Sequence, residues 1–558
     1  MHPRTQGGWD FLGPGKWSTR IRLFALVLAV INVALVWHFR VPAISSWQDD
    51  AQYILLSREV AHGDYRDSHD VNAPPHAKYP PGYPTFLAGL SAVFGERETV
   101  FLVANAVLTA GALLVFLAWG LRNLSIPVWT AVGVLVALNS ETILVSGKIL
   151  SEPLFLFVVY LSLWLETRET PGRSSRTWWA TIAGSLVTIV RSAGLAISVG
   201  LIGARLVQRR WAAAAALALL TLATGGWWGW YSARAPQSQE RALYVADFQK
   251  VLSIDESPLR AAGQRIRYKA EELTIDELPT ALSVPVVKGQ RIDNAIGALV
   301  IVVLLPLGIL LLWRLSKTAA AVLLAYGALY VVWPYGMVRL IVPMVPLILV
   351  SMFLAAESLG SKLRRPWAAP AAVALLAVYF ALGSAIRLWS ERDIYDGCVK
   401  SDAPRSQAAC FPREEDWAFM QAAAYLKEQG RPGSVVFTDK DAAFYYLTGH
   451  KTENANVLIK EDSTTIAEAL RGRGVEWAVT SYVGPLRHQI GSLLAKACRE
   501  FELVRQFDAH TTVLRVRPTA DTSANACEAL AIWRRETARE TGSTQPAAGE
   551  NGTVAVVR

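Results

Sequence analysis

Residues 21–39 read IRLFALVLAVINVALVWHF, an apolar run long enough to cross a bilayer core, which takes about 20 helical residues. Comparable runs recur along most of the chain, and Lys or Arg bounds them on alternate sides. Wherever such a chain meets lipid, its backbone polar groups must be satisfied inside helices. The class is therefore a mostly α polytopic membrane protein. Composition agrees: 52% of the 558 residues are hydrophobic and only 18% are charged, too apolar for a string of soluble domains. The net charge of +9 does not point to nucleic acid, because the basic residues gather at helix ends on one side. Twenty Trp suit interfacial belts better than base stacking.

Lys and Arg also set the orientation. Arg4, Lys16 and Arg20 precede the first run and Arg22 stands at its start, which places the N-terminus in the cytoplasm and the 40–98 loop outside. The first run exceeds the apolar core of a signal peptide, so it is expected to be an uncleaved helix. Residues 83–94 are apolar but too short to cross, and read as a re-entrant or interfacial helix. Spans follow at 99–120, 126–140 and 153–166, with a short outer loop between the last two. Residues 178–207 are too long for one upright helix and carry Arg191 mid-segment, so a hairpin with Arg191 at its outer turn is expected. Further spans at 211–232, 294–313, 318–335, 339–356 and 367–389 bring the total to about eleven. Between them, 233–293 forms a second outer loop with an amphipathic centre near 258–278.

The expected domains are a membrane domain over 1–389, an extracytoplasmic α/β domain over 390–540 and a disordered tail over 541–558. Within the α/β domain, 434–438, 475–480 and 511–517 read as strands, and 413–428 and 440–447 as helices. Cys398, Cys410, Cys498 and Cys527 all lie there without a CxxC pair, which suits disulfides better than zinc. Of the three possible pairings, Cys398–Cys410 with Cys498–Cys527 is preferred.

The chemistry-bearing stretch is the first outer loop, residues 47–84, WQDDAQYILLSREVAHGDYRDSHDVNAPPHAKYPPGYP. It opens on Asp49-Asp50 just beyond a membrane-length helix, where carboxylates are costly unless solvated or functional. Tyr53 shares a helical face with one of them. Adjacent carboxylates on a helix do not point the same way, and Asp49-Asp50 is not an Asp-x-Asp pair. A divalent cation is left open; His62, His69 and His76 are widely spaced and read more simply as solvated loop histidines.

The succession DDAQYILLSREVAHGDY then KYPPGYPTFLAGLSAVFG resembles the first outer loop of the GT-C glycosyltransferases. More narrowly it is similar to the branch holding protein O-mannosyltransferases, the aminoarabinose transferase of lipid A and RgtA/B/C/D-like enzymes. Lys148-Ile149-Leu150-Ser151-Glu152-Pro153 resembles the second-loop motif of that family, and Val338-Arg339-Leu340-Ile341-Val342-Pro343-Met344-Val345-Pro346 its Arg-Tyr-x-x-Pro-x-x-Pro helix. Two departures stand out. The family's Asp-Glu is Asp49-Asp50, and Tyr79 stands between Lys78 and Pro80-Pro81 where the aminoarabinose branch has Lys-Pro-Pro. The second argues against aminoarabinose transfer itself.

The resemblance implies a GT-C membrane domain in a bacterial inner membrane. It implies inverting transfer of a sugar from a polyprenyl-phosphate donor to an extracytoplasmic glycan, lipid or protein acceptor. Such chemistry needs a base for the acceptor proton and cations for the leaving phosphate. Asp49 is the expected base, with Asp50 and Glu152 next, orienting the acceptor or contacting a metal. Lys78, Arg191 and Arg339 are the expected phosphate ligands, although Arg339 could instead snorkel to head groups. Tyr53 and Tyr83 could stack on sugar or prenyl chain or simply pack, and Lys148 binds substrate or anchors its loop. Two rival classes are a flippase for polyprenyl-linked lipid and a membrane-anchored sensor. No repeat supports the first, and the second has little use for paired acids in the first loop.

Overall fold

The computed structural model describes residues 19–41, 49–167, 174–235, 258–285, 291–334, 336–400, 414–454, 466–483, 487–517 and 526–540. The 541–558 tail and Cys410 lie outside these residues. Among the described residues, six helices are long and apolar enough to cross a membrane: Thr19–His38, Glu98–Asn123, Trp211–Arg234, Ala295–Leu315, Val338–Lys362 and Ala368–Arg392. Ile126–Leu138 and Ser140–Ser146, bent by 42°, make a seventh if taken as one span. The protein is a multi-pass membrane protein.

Among the described residues, helices of full length do not reach the expected count of about eleven. The reason is that several expected spans are short helices. Gly194–Val207 has 14 residues and at 1.5 Å per residue covers only about 21 Å. Lys317–Val332 and Glu152–Thr167 have 16 each. Apolar composition alone did not reveal where these helices break. The expected span over 126–140 breaks at Asn139, whose side chain accepts a hydrogen bond from the Thr142 amide at 2.9 Å and starts the next helix. In the other direction, the last helix runs continuously from Ala368 to Lys400 and passes through the boundary expected at 389.

Helix Val345–Lys362 is the axis of the bundle; most of its residues are buried. Helix Arg291–Leu315 approaches it so closely that a Cβ on Gly308 would lie 1.9 Å from the Ser351 carbonyl oxygen. Small residues permit this contact, as is usual where lipid supplies no hydrophobic drive.

At the end of the bundle opposite the first loop, Arg205 is fully buried. Its Nε donates to Glu166 Oε1 at 2.9 Å, and Arg210 Nη1 donates to Glu166 Oε2 at 3.1 Å. Arg205 Nη1 also donates to Thr181 Oγ1 at 3.0 Å and the Ala213 carbonyl at 2.7 Å. The network ties together four helices that only loops connect. Removing one partner of a buried pair strands the other charge and costs about 3–5 kcal/mol. Glu166→Ala is therefore expected to lower the unfolding temperature of the detergent-solubilised protein clearly; an unchanged melting curve would show that water replaces the carboxylate.

The C-terminal region holds a five-stranded sheet, order β2-β1-β3-β5-β4, from β1 (Val435–Thr438), β2 (Thr452–Asn454), β3 (Val475–Thr480), β4 (Phe501–Gln506) and β5 (Thr512–Val516). β2, β1 and β3 run parallel; β5 pairs antiparallel with β3 and β4. The central strands β1 and β3 are almost wholly buried, as their apolar runs VVFT and VEWAVT require. The short β2 (Thr-Glu-Asn) has no apolar signal in the sequence. Cys498 is bonded to Cys527, the second of the two preferred disulfides.

This sheet is fastened to the first loop. The Thr452 amide donates to the His69 carbonyl at 2.9 Å, and Asp70 bridges Thr452 in parallel, so the loop covers the open edge of β2. Tyr446 donates to Glu98 Oε1 at 2.9 Å, Arg58 lies 5.1 Å over the Tyr446 ring, and His69 Nε2 lies 3.4 Å from Asp441 Oδ2.

Candidate active site at the first loop

Asp49 and Asp50 occupy the first turn of helix Asp49–Ala61. There the unsatisfied amides and the helix dipole favour negative charge. Both are buried, at 9% and 4% exposure. They diverge, as neighbours on a helix must. Asp49 Oδ2 accepts from Arg339 Nη1 at 2.6 Å, and Oδ1 accepts from the Tyr79 hydroxyl at 2.6 Å. Burial pushes the Asp49 carboxyl up, but Arg339, Lys78 and the Tyr79 hydrogen bond outweigh it and hold it at about 2. Asp50 Oδ1 accepts from the Ala51 amide at 2.9 Å, and its charge supports half-buried Lys148. Burial nevertheless lowers the Lys148 ammonium to about 8.

Arg339 reaches this point from the short helix Val338–Ile341, which a 3-10 turn at Val342–Met344 joins to Val345–Lys362. Pro343 and Pro346 force that irregular start. The 290 residues separating Arg339 from Asp49 make this contact a product of the fold alone.

A second ion pair stands beside the first. Glu152 begins helix Glu152–Thr167, and its Oε1 lies 2.6 Å from Arg191 Nη1. Arg191 sits at the break between Ser174–Val190 and Gly194–Val207, the turn expected for it. Its Nη1 also donates to Ser151 Oγ at 2.9 Å. Ser151 Oγ is 3.1 Å from the Tyr53 hydroxyl, and the Tyr53 ring packs 4.9 Å from both Tyr79 and Tyr83. The two ion pairs are thus joined through Ser151, Tyr53 and Tyr79. Lys78 Nζ lies 4.9 Å from the centre of the Tyr79 ring.

All nine residues singled out in the sequence fall in or beside this cluster. Asp49, Asp50, Glu152, Lys78, Arg191, Arg339 and Lys148 supply its charge, with cations in excess by one. Tyr53 and Tyr83 supply packing: they are 5% and 0% exposed, the Tyr53 ring lying between Tyr79 and Tyr83, so they do not offer open stacking faces. Tyr83 in turn donates to Asn105 Oδ1 at 3.3 Å, and Asn105 Nδ2 donates to the Lys148 carbonyl at 2.7 Å. Sequence reasoning did not select Tyr79, Ser151 or Asn105. Tyr79 carried a signal, because it interrupts the Lys-Pro-Pro pattern; Ser151 and Asn105 carried little.

The loop histidines are not merely solvated. His76 and His69 are buried, His76 Nδ1 lying 2.6 Å from Asp67 Oδ1 and His69 facing Asp441. His62 is exposed, with Nδ1 2.7 Å from the Arg58 carbonyl. Among the described residues no three His, Cys, Asp or Glu side chains come together in a way that could hold a metal ion.

A cluster of this kind can hold a dianionic group on its cations and take a proton on its carboxylate. No protein-family model and no curated protein matches the chain. Solved structures do. ArnT from Cupriavidus metallidurans, in a crystal structure bound to undecaprenyl phosphate, superposes with a TM-score of 0.51 at 14% identity, covering 89% of this chain and 98% of that one. The Archaeoglobus fulgidus oligosaccharyltransferase, solved in complex with Zn and sulfate, superposes with a TM-score of 0.51 at 12% identity, covering 86% of this chain and 71% of that one. At such identities the likeness is one of fold.

Proposed function

We propose that this chain, which shares the fold of the GT-C glycosyltransferases, moves a sugar from a polyprenyl-phosphate donor to a hydroxyl acceptor at the first-loop end of the bundle. The observation that carries the proposal is the Asp49–Arg339 pair, a buried base and a half-buried cation in contact, with Lys78, Lys148 and Arg191 close by. We place the site on the extracytoplasmic side of a bacterial inner membrane, as the Lys and Arg distribution directs.

The step is a single inverting displacement. The acceptor oxygen attacks the anomeric carbon, the bond from that carbon to the phosphate oxygen breaks, and its electrons leave with the phosphate. Arg339, Arg191 and Lys78 take up the charge that grows there. The acceptor proton passes to Asp49. At about 2, the resting carboxylate is a weak base. The donor phosphate corrects this by drawing Arg339 toward itself. Once the arginine's pull is shared, burial dominates and raises the basicity of Asp49. Asp50 and Glu152 orient the acceptor and Arg191.

Lys148 sets a pH limit. Its ammonium holds charge below about 8, so transfer should fall as pH rises through that value. Lys148→Arg should remove this alkaline limb, and a wild-type profile flat from pH 7 to pH 9.5 would exclude the role. Stability should move the opposite way. The unfolded chain keeps its Lys proton up to 10.5, so between about 8 and 10.5 it binds more protons than the folded chain, and stability rises with pH.

The proposal is tested by offering the purified protein a panel of radiolabelled polyprenyl-phosphate sugars with a crude envelope acceptor. Label moving into the acceptor, with release of polyprenyl phosphate, supports it. Movement of intact lipid-linked sugar across a vesicle bilayer, with no label transferred from any donor, would replace it with the flippase.

A further inference from the structure

We propose that His76 and Asp67 are positioning residues that hold the Asp49 carboxylate in place through Tyr79; the inference rests on the glycosyl-transfer reading above. Four interactions fix Tyr79. Its amide donates to His76 Nε2 at 2.8 Å, and its carbonyl accepts from the Tyr65 hydroxyl at 2.8 Å. Its ring stacks on the His76 ring, with centroids 5.5 Å apart and planes 17° off parallel. Its hydroxyl donates to Asp49. Pro80 further restricts its backbone.

The hydrogen bonds assign the tautomer of His76. A backbone amide can only donate, so Nε2 is the acceptor and carries no proton. The proton is then on Nδ1, where it points at Asp67 Oδ1, 2.6 Å away. The same oxygen accepts from Gln52 Nε2 at 2.8 Å. Gln52 lies one turn beyond Asp49 on the same helix. Asp67 therefore closes a loop: helix Asp49–Ala61 to Gln52, Asp67, His76, Tyr79 and back to Asp49. Gln52, Asp67 and His76 are all buried.

The hairpin that carries Asp67 and His76 is itself anchored. The His76 amide donates to the Tyr65 carbonyl at 2.8 Å, and the Asp67 amide to the Pro74 carbonyl at 2.9 Å. Its tip is paired with β2 of the sheet domain at Thr452. A supporting shell of this form keeps a first-contact group within the narrow tolerance that transfer needs. Loss of about 1 Å in placement costs on the order of 100-fold in rate.

The test uses the full-length protein in detergent and has two arms. In steady-state transfer, His76→Ala should lower kcat by about 100-fold with little change in donor KM. Tyr79→Phe should lower it comparably, and the double variant should be no worse than either single, because both break one linkage. His76→Gln, whose side-chain oxygen can accept from the Tyr79 amide in place of Nε2, should recover part of the loss. The other arm is 15N spectroscopy of the histidine-labelled protein. One signal, absent from His76→Gln, should show protonated Nδ1 and unprotonated Nε2, and it should shift in Asp67→Asn. Additive losses in the double variant, or a His76 signal with protonated Nε2, would overturn the proposal. Wild-type protein that transfers from no donor counts against glycosyl transfer instead, while the tautomer still decides the Asp67–His76–Tyr79 linkage.

Discussion

Asp49→Asn is expected to abolish transfer, by at least ~100-fold, while the protein still folds and binds undecaprenyl phosphate. The amide keeps one oxygen, which can accept from Arg339, and its NH2 can donate to the Tyr79 hydroxyl oxygen in place of the bond that Asp49 accepts, so local geometry has a near-isosteric replacement. What it loses is the lone pair that takes a proton and the charge that offsets Arg339. Release of Arg339 from its ion pair should make phosphate binding equal or tighter. Lower turnover together with undiminished donor affinity is the signature of an interaction needed in the transition state. A purely structural Asp49 would instead give parallel losses in folding, binding and turnover.

Arg339→Met has the second large effect, and it should differ in kind. Removing a charge-assisted hydrogen bond to phosphate costs about 1.5–3 kcal/mol of binding. Loss of one donor to developing charge lowers kcat by a further ~100- to 1,000-fold. The variant also strands the buried Asp49 carboxylate, so its pKa should rise from about 2 and the melting temperature should fall. Arg339→Lys restores a point charge but not the paired donors, and should recover binding more than turnover. Binding of undecaprenyl phosphate unchanged in Arg339→Met would return this residue to the head-group role that its place near the membrane surface also permits.

Both predictions turn on a contact that the sequence hinted at from each end but could not join. Asp49-Asp50 is legible because paired acids beside an apolar run are expensive, and Arg339 because it heads a proline-marked helix. That they meet at 2.6 Å follows from the bundle. Arg191 is legible for a related reason: an arginine within an apolar segment has to face the protein interior or mark a break. It does both, between two short helices. Tyr79 shows the limit of motif reasoning, since the residue that departs from a family pattern is the one bonded to Asp49. Buried partners of polar groups are the least legible. Asp67, His76, Ser151 and Asn105 look like ordinary loop and helix residues until their neighbours are known. The lengths of spans fare no better, because hydropathy does not mark where an apolar helix stops. Strands β1, β3 and β5 announce themselves by apolar runs, whereas the polar β2 is recognisable only from its pairing with β1 and from the first loop that covers its other edge.

The most direct test of the Asp49–Arg339 site is single-turnover transfer from a saturating radiolabelled polyprenyl-phosphate sugar, comparing wild type with Asp49→Asn. Undecaprenyl phosphate binding is measured on the same preparations. The expected result is rapid transfer by wild type, none above background by Asp49→Asn, and binding by both. Transfer by Asp49→Asn at the wild-type rate would contradict the assignment of Asp49 as the base, and with it the chemistry proposed for this cluster.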